Sequence, residues 1–445
     1  MFTSDQLLRR SVLSCMLWED TFYESGVSIA NRISELVKEV DPKLVMSLAI
    51  EAREKFKLRS VPIFLMANLV KIHKGSKLIG DTITRVIQRP DEMSKFLELY
   101  WADGKKPIPA QAKRGLANAF HKFDEYQLSK WNRDGKIKLR DVMRLTHPTP
   151  KDDVQDALWS RLISDELATP ETWEVRLSSG EDKKNVWEDL LTHNKMGALA
   201  VLRNLRNFSR DDVQPDIIKQ ALNEMKVDRV LPYRFLAAAR FVGSQYNEHL
   251  ENAMFRCLKN AKKLHNKTVL LVDVSGSMDW GLARNAEVFH RQTPENEVNR
   301  IDVACGLAIL LREICNDVEI YTFSDRTVPV ADARGFALKN LIYTSQAHRS
   351  TMLGQSISYL SNKINSSERT IVITDEQATD RVDKVDTEKK LYLINVAPYQ
   401  TGIEYDNWIR INGFSEAVID WIQEYEKESL NGFISEIEQI LFANL

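Results

Sequence analysis

The chain has 445 residues, 43% hydrophobic and 28% charged, which is enough for two or more packed domains and too apolar for wholesale disorder. No apolar run approaches a membrane span, and the start, Met1-Phe2-Thr3-Ser4-Asp5 followed by Arg9 and Arg10, lacks the apolar core of a signal peptide. The net charge of −2 hides a division: residues 1–265 carry 44 Lys and Arg against 36 Asp and Glu, and residues 266–445 carry 17 against 27.

From the start to about residue 262 the apolar residues recur at helical spacing. Leu7–Leu17, Val27–Val40, Pro42–Phe56 and Val61–Lys74 are read as helices, followed by Leu116–Lys130 and Val186–Phe208. Asp212–Met225, Pro232–Val242 and Asn247–Lys262 continue the series. Short joints between many helices, with few strand signals, predict an α-solenoid over 1–262. Most of the positive surplus lies in one window, since residues 105–147 hold 11 Lys and Arg against 4 Asp and Glu. Such a patch is the footprint of a polyanion partner, although a solvated helical face has the same composition.

At Asn266 the pattern changes to alternating strands and helices. Strands are expected at Thr268–Val272, Val318–Phe323, Thr370–Thr374 and Leu391–Val396. Helices are expected at Asp302–Ile314, Gly354–Lys363, Ser415–Tyr425 and Phe433–Phe442. This order predicts a doubly wound α/β domain over 266–445, with Asp279–Arg300 as a long loop. The fold class is therefore α plus α/β, multidomain. Cys15, Cys257, Cys305 and Cys315 are scattered, with neither a disulfide framework nor paired metal spacing, which fits a reduced cytoplasmic protein.

Directly after the first strand comes Asp273-Val274-Ser275-Gly276-Ser277. One carboxylate and two hydroxyls at a strand end suit a hard divalent cation such as Mg²⁺. Asp375 follows the strand Thr370–Thr374, and Ser350-Thr351 precedes the helix at Gly354. Parallel strands bring their carboxyl ends to one edge, so Asp273, Ser275, Ser277, Thr351 and Asp375 are the expected ligands, with Ser350 the alternative third hydroxyl. Hydrolysis is a poor fit, because Ser275 and Ser277 lack a G-x-S-x-G elbow and no histidine is placed as a base.

With these residues the second part resembles the von Willebrand factor A domain and its metal-ion-dependent adhesion site. There, one coordination position is left for an acidic group of a partner. The whole chain resembles the Ro autoantigen family, of bacterial or phage type, whose helical portion is the TROVE module. Three stretches carry the resemblance. The first runs from Lys113-Arg114-Gly115-Leu116 through Lys130-Trp131-Asn132-Arg133 to Leu139-Arg140-Asp141-Val142-Met143-Arg144-Leu145-Thr146-His147-Pro148. The second is Trp187-Glu188-Asp189-Leu190-Leu191 with Leu202-Arg203-Asn204-Leu205. The third is Leu231-Pro232-Tyr233-Arg234-Phe235, leading into the Asp273 motif.

The resemblance implies a monomeric ring of HEAT-like helices closed by the A domain. It implies binding of small noncoding Y-type RNA on the outer face and of single-stranded or misfolded RNA ends in the central hole. An exoribonuclease partner such as polynucleotide phosphorylase, a role in RNA maturation or decay, and no enzymatic activity of its own also follow from it. RNA contacts transfer onto Arg133, Arg140, Arg144 and His147, flanked by Lys130, Lys136 and Lys138, with Lys113 and Arg114 further away. His147 equally fits a helix cap, and Lys113 and Arg114 a solvent-facing role. The competing reading is a protein-interaction scaffold, an adaptor for an AAA ATPase, using the metal site to bind an acidic partner. RNA binding expects the basic side chains to form one surface; an adaptor expects them scattered or paired with acids.

Overall fold

The computed structural model describes residues 3–13, 26–132, 134–170, 172–228, 230, 232–259, 261–279, 299–385, 387–396, 407–412 and 417–428. The expected helix Phe433–Phe442 lies outside them, as does Arg133. The chain divides into two compact units, one holding residues 27–176 and the other 177–423. That division precedes the change from helices to strands, which comes at Leu264.

In the first unit, successive helices pack on near neighbours in sequence. Helix Pro42–Glu54 starts at the Asp41 cap, with Pro42 as its first residue, and packs on Ser60–Ile72 and Lys77–Val86. Between the last and Ala110–Phe120 the backbones come close: a side chain at Gly115 would put its Cβ 2.6 Å from the Gly80 carbonyl oxygen. Thr84 Oγ1 donates to the carbonyls of both glycines, at 3.0 Å each. One buried ion pair is embedded here, Arg53 Nη2 to Glu92 Oε1 at 2.6 Å. The other Glu92 oxygen accepts from the Gln88 and Arg89 amides, so the buried carboxylate is satisfied on both sides.

Two expected long helices are each broken. Leu116–Lys130 is split into Ala110–Phe120 and Glu125–Trp131, because Asp124 forms a capping box with Gln127. Val186–Phe208 is split into Lys183–Thr192 and Ala198–Arg210 across Asn194, which is left-handed at φ 52°, and Gly197, which precedes the second helix. Apolar periodicity continued through both breaks and hid them. Leu139–Thr146 and Asp153–Ser164 are further helices that the spacing did not single out.

The second unit contains a six-stranded sheet in the order β3-β2-β1-β4-β5-β6. Its strands are β1 (Leu264–Asp273), β2 (Cys315–Phe323), β3 (Thr327–Pro329), β4 (Arg369–Thr374), β5 (Lys390–Asn395) and β6 (Ile409–Asn412). All neighbours are parallel except the short edge pair β2–β3. The expected strand at Thr268 begins earlier, and Asn266, at φ 66°, stands where the β1–β2 register shifts. The central strands are buried on both faces, which explains the unbroken apolar runs Val269–Val272 and Ile371–Ile373.

Helices cover both faces. Val269, Leu271, Val372, Leu391 and Leu393 pack with Leu353, Ile357, Leu360 and Ile364 from Leu353–Tyr359 and Ser361–Ser366, a pair separated at Leu360 where one helix was expected. On the other face, Trp421 of helix Ala417–Glu428 meets Tyr392 edge-on. Helix Arg300–Ile314 packs on β1 and β2 and is covered in turn by Pro232–Ala239 and Gly335–Tyr343. Gly306 permits this, since a Cβ there would lie 2.9 Å from that of Tyr233. That double cover is why the helix is buried almost all round.

At the sheet margin, Glu319 on β2 binds Lys267 Nζ at 2.5 Å and Lys363 Nζ at 2.9 Å. Lys267 first and then Lys363 hold its carboxyl down to about 2. A depressed carboxylate stabilises the fold above its unfolded pKa and loses that contribution as pH falls through the folded value. The group is half-buried at the surface, where solvent still screens the pairs, so the effect is small. Glu319→Gln should lower stability at pH 7 by at most about 1 kcal/mol, and the difference should vanish between about pH 4.5 and pH 2 in urea melts.

Candidate metal centre and basic face

Asp273 ends β1 fully buried. Its Oδ1 accepts from the Ser275 amide at 2.8 Å, which bends the chain into the hydroxyl-bearing turn. Its Oδ2 accepts from Thr374 Oγ1 at 2.6 Å, so β4 orients the carboxylate of β1. Ser275 Oγ and Ser277 Oγ lie 3.4 Å apart. Asp375, also fully buried, accepts from the Gln377 amide at 3.3 Å and from Arg300 Nη1 at 2.9 Å. The same Arg300 nitrogen lies 3.4 Å from the Ser277 carbonyl oxygen, joining the two carboxylate-bearing segments.

The third segment is tied in through the backbone. The Gly276 amide donates to the Arg349 carbonyl at 3.0 Å, and His348 Nδ1 contacts the Val274 carbonyl oxygen at 2.6 Å. Ser324, just after β2, accepts the Arg349 amide at its hydroxyl and the Met352 amide at its carbonyl. The Thr351 carbonyl accepts the Thr379 amide at 2.9 Å, and Asp380 caps the helix Leu353–Tyr359 through the Gly354 and Gln355 amides. Buried Thr351 is therefore clamped between the loops after β2 and β4, while the half-buried Ser350 has its amide on Asp325.

Burial first, and then the charge of Asp375, push the Asp273 carboxyl up to about 7, against hydrogen bonds from Ser275 and Thr374. Two buried carboxylates beside paired hydroxyls form a hard, electron-rich donor set, and a divalent cation would relieve the charge that burial disfavours. The residues thus fit such an ion. Among the described residues, no group of three or more His, Cys, Asp or Glu is arranged to hold a metal, so carboxylates with hydroxyls are the donor chemistry on offer.

Three residues of this region escaped the sequence reading. Thr374 looked like the end of a buried strand. Arg300, expected at the end of a loop, is the first residue of a helix. The fully buried Glu376, left-handed at φ 59°, pairs with Arg410 on β6. For Arg300 a signal existed: it follows Asn299, whose side chain caps the helix, and an arginine in a first turn opposes the helix dipole. The expected loop ahead of it lies mostly outside the described residues. Its two ends, Asp279 and Asn299, are joined by a 2.7 Å hydrogen bond.

The basic candidates of the first unit fall into two groups. Arg114 is committed to helix packing, donating to the Lys77 carbonyl at 3.0 Å and pairing with Asp81. Lys138 pairs with Asp134 at 2.6 Å and Arg140 with Asp165 at 3.5 Å, both acids being well exposed. Lys130 lies 5.4 Å from the Tyr126 ring centre and 6.0 Å from that of Trp131. Arg144, Lys136 and His147 are exposed and Lys113 is half-buried. His147 caps its helix in a left-handed conformation, φ 51°, its amide donating to the Met143 carbonyl at 2.9 Å. In the second unit Arg203 and Arg206 are exposed, while Asn204 between them is buried and donates to the Ala200 carbonyl at 2.9 Å. Trp187 Nε1 donates to Asp211 and its ring meets Phe208 edge-on.

Comparison with known proteins bears on the family and the fold. The family model described as the TROVE domain matches residues 7–164 and 164–281. "Telomerase protein component 1" of Rattus norvegicus is 21% identical over 336 residues, covering 53% of this chain and 13% of the relative, and the Mus musculus counterpart is 20% identical with the same coverage. The chain thus spans 13% of the length of these relatives. Among solved structures, the crystal structure of the Deinococcus radiodurans RO (RSR) protein matches with a TM-score of 0.67 at 16% identity, over 95% of this chain and 99% of that one, which shows a shared fold. No helix among the described residues is long and apolar enough to cross a membrane. With family-model matches through most of its length, this chain belongs to the TROVE domain family.

Proposed function

We propose that this protein is a cytoplasmic, monomeric and non-enzymatic RNA-binding scaffold. Its ligands in this reading are small structured noncoding RNA of the Y type and the ends of single-stranded or misfolded RNA. An exoribonuclease then matures or degrades what is held. Family membership carries the proposal. The exposed cations Lys136 and Arg144, with Lys130 beside Tyr126 and Trp131 and the exposed His147 imidazole as a further hydrogen-bonding group, supply its chemistry. Cations on helices and on the joint between them neutralise phosphates, and aromatic neighbours offer stacking surfaces to unpaired bases.

The pairing of Lys138 with Asp134 and of Arg140 with Asp165 favours the adaptor reading. The acid of each pair is well exposed at the surface, where solvent screens the pair and a phosphate competes for the cation. Arg114 is different, because releasing it would loosen a helix contact, and it is not assigned to RNA.

The metal belongs to the same proposal. Asp273, Ser275, Ser277, Thr351 and Asp375 would hold Mg²⁺ or another divalent cation, which when bound supplies a Lewis-acidic position for an acidic group of a partner protein. The chain's own residues present that position: Thr374 and the Ser275 amide fix the Asp273 carboxylate, and the Arg349 carbonyl holds the serine turn through Gly276.

Reversing Arg140 and Arg144 to Glu should weaken binding of a small structured RNA at least tenfold at about 0.1 M salt, and lower the slope of log K against log salt by about 1.5. Fluorescence anisotropy across a salt series measures both; unchanged affinity and slope would remove these residues from the RNA face. For the metal, Mg²⁺ at about 100 times its Kd should stabilise the protein by about 2.7 kcal/mol, and Asp273→Ala should abolish that gain. Thermal melts with and without Mg²⁺ decide this, and an equal gain in both proteins would reject the site.

A further inference from the structure

Arg300 is placed where neither helix electrostatics nor solvation favours it. It opens the helix Arg300–Ile314, at the positive end of the helix dipole, and its side chain is 0% exposed. A buried guanidinium is tolerated only with a close anionic partner. That partner is Asp375, and the contact extends to the carbonyl of Ser277 on the hydroxyl-bearing turn. One side chain thus cross-links two of the segments that carry the candidate metal ligands.

The charges give this geometry a meaning. Asp273 and Asp375 when ionised supply two negative charges, and Arg300 returns one. A divalent ion added to the carboxylates alone would yield a neutral site. Added beside Arg300 it yields a net positive one, at a cost in affinity, since two cations then share Asp375 in a setting of low dielectric.

We propose that Arg300 is an internal counter-cation of the strand-end site: it keeps the ligand segments assembled without metal, lowers the affinity for the divalent ion, and makes the loaded site net positive. The inference rests on the metal reading above and adds the residue that tunes it.

Isothermal titration of the full-length protein with Mn²⁺ tests this in the wild type, R300Q and D273A. Removing the guanidinium charge should tighten Mn²⁺ binding by on the order of tenfold or more. R300Q should also melt below the wild type without metal and regain the difference with Mn²⁺. If the wild type binds Mn²⁺, D273A does not, and folded R300Q binds with unchanged or weaker affinity, the counter-cation role is overturned while the metal site stands. If neither wild type nor R300Q binds, the metal reading falls and takes this inference with it. A second measurement needs no folded R300Q. In ¹⁵N-labelled wild type, the Arg300 Nε–Hε resonance, assigned by its loss in R300K, should shift saturably as Mg²⁺ is added. A resonance that stays still while Mg²⁺ raises the melting temperature overturns the proposal.

Discussion

Two carboxylates buried at the ends of adjacent parallel strands are the constraint around which the α/β part is arranged. Asp273 and Asp375 cannot both be stripped of water and left bare, so each neighbour is recruited to them: the Ser275 amide and Thr374 hydroxyl to one, the Gln377 amide and Arg300 guanidinium to the other. Recruiting Arg300 fixes the start of the helix Arg300–Ile314. That start is held again two residues later, where buried Asp302 meets Arg240 Nε at 2.9 Å and Lys339 Nζ at 3.3 Å. The helix is thereby pinned by charge at one end and by apolar cover along its length. The position of the strand-end loops follows from it.

The helical unit answers to a different requirement, close backbone approach. Lys113-Arg114-Gly115-Leu116 mixes two jobs in four residues. Gly115 lets two helices touch, Arg114 locks that contact to Asp81 and Lys77, and Lys113 stays half-buried. A basic window is therefore not the same thing as a basic surface. Part of the positive charge between residues 105 and 147 holds the helices together, and the remainder is what an anionic polymer would meet.

The element types were legible in the sequence because apolar spacing reports burial directly. The run Thr268–Val272 reads as a buried strand for the reason that it is one, covered on both faces. The helix breaks at Asp124 and Gly197 were not legible, because their apolar stripes resume in phase and only capping chemistry marks the gaps. The site was partly legible. Asp273, Ser275, Ser277 and Asp375 share a sequence pattern, and the sheet brings their segments together. Thr351 was legible only as one of two neighbouring hydroxyls, and its buried position owes more to Thr379 and Asp380 than to its own segment. Arg300 and Thr374 were hidden because their roles exist only through partners distant in sequence. Glu376 was hidden too, since its neighbour Arg410 belongs to a strand the spacing did not single out.

The hydrogen bond between Asp279 and Asn299 carries a further consequence. Asn299 acts through both ends of one amide: its oxygen caps the helix by accepting the Asp302 amide, and its nitrogen donates to Asp279. The end of the serine turn and the start of the helix are therefore coupled through a single side chain. An aspartate at this position would keep the cap but lose the donor, and would set carboxylate against carboxylate.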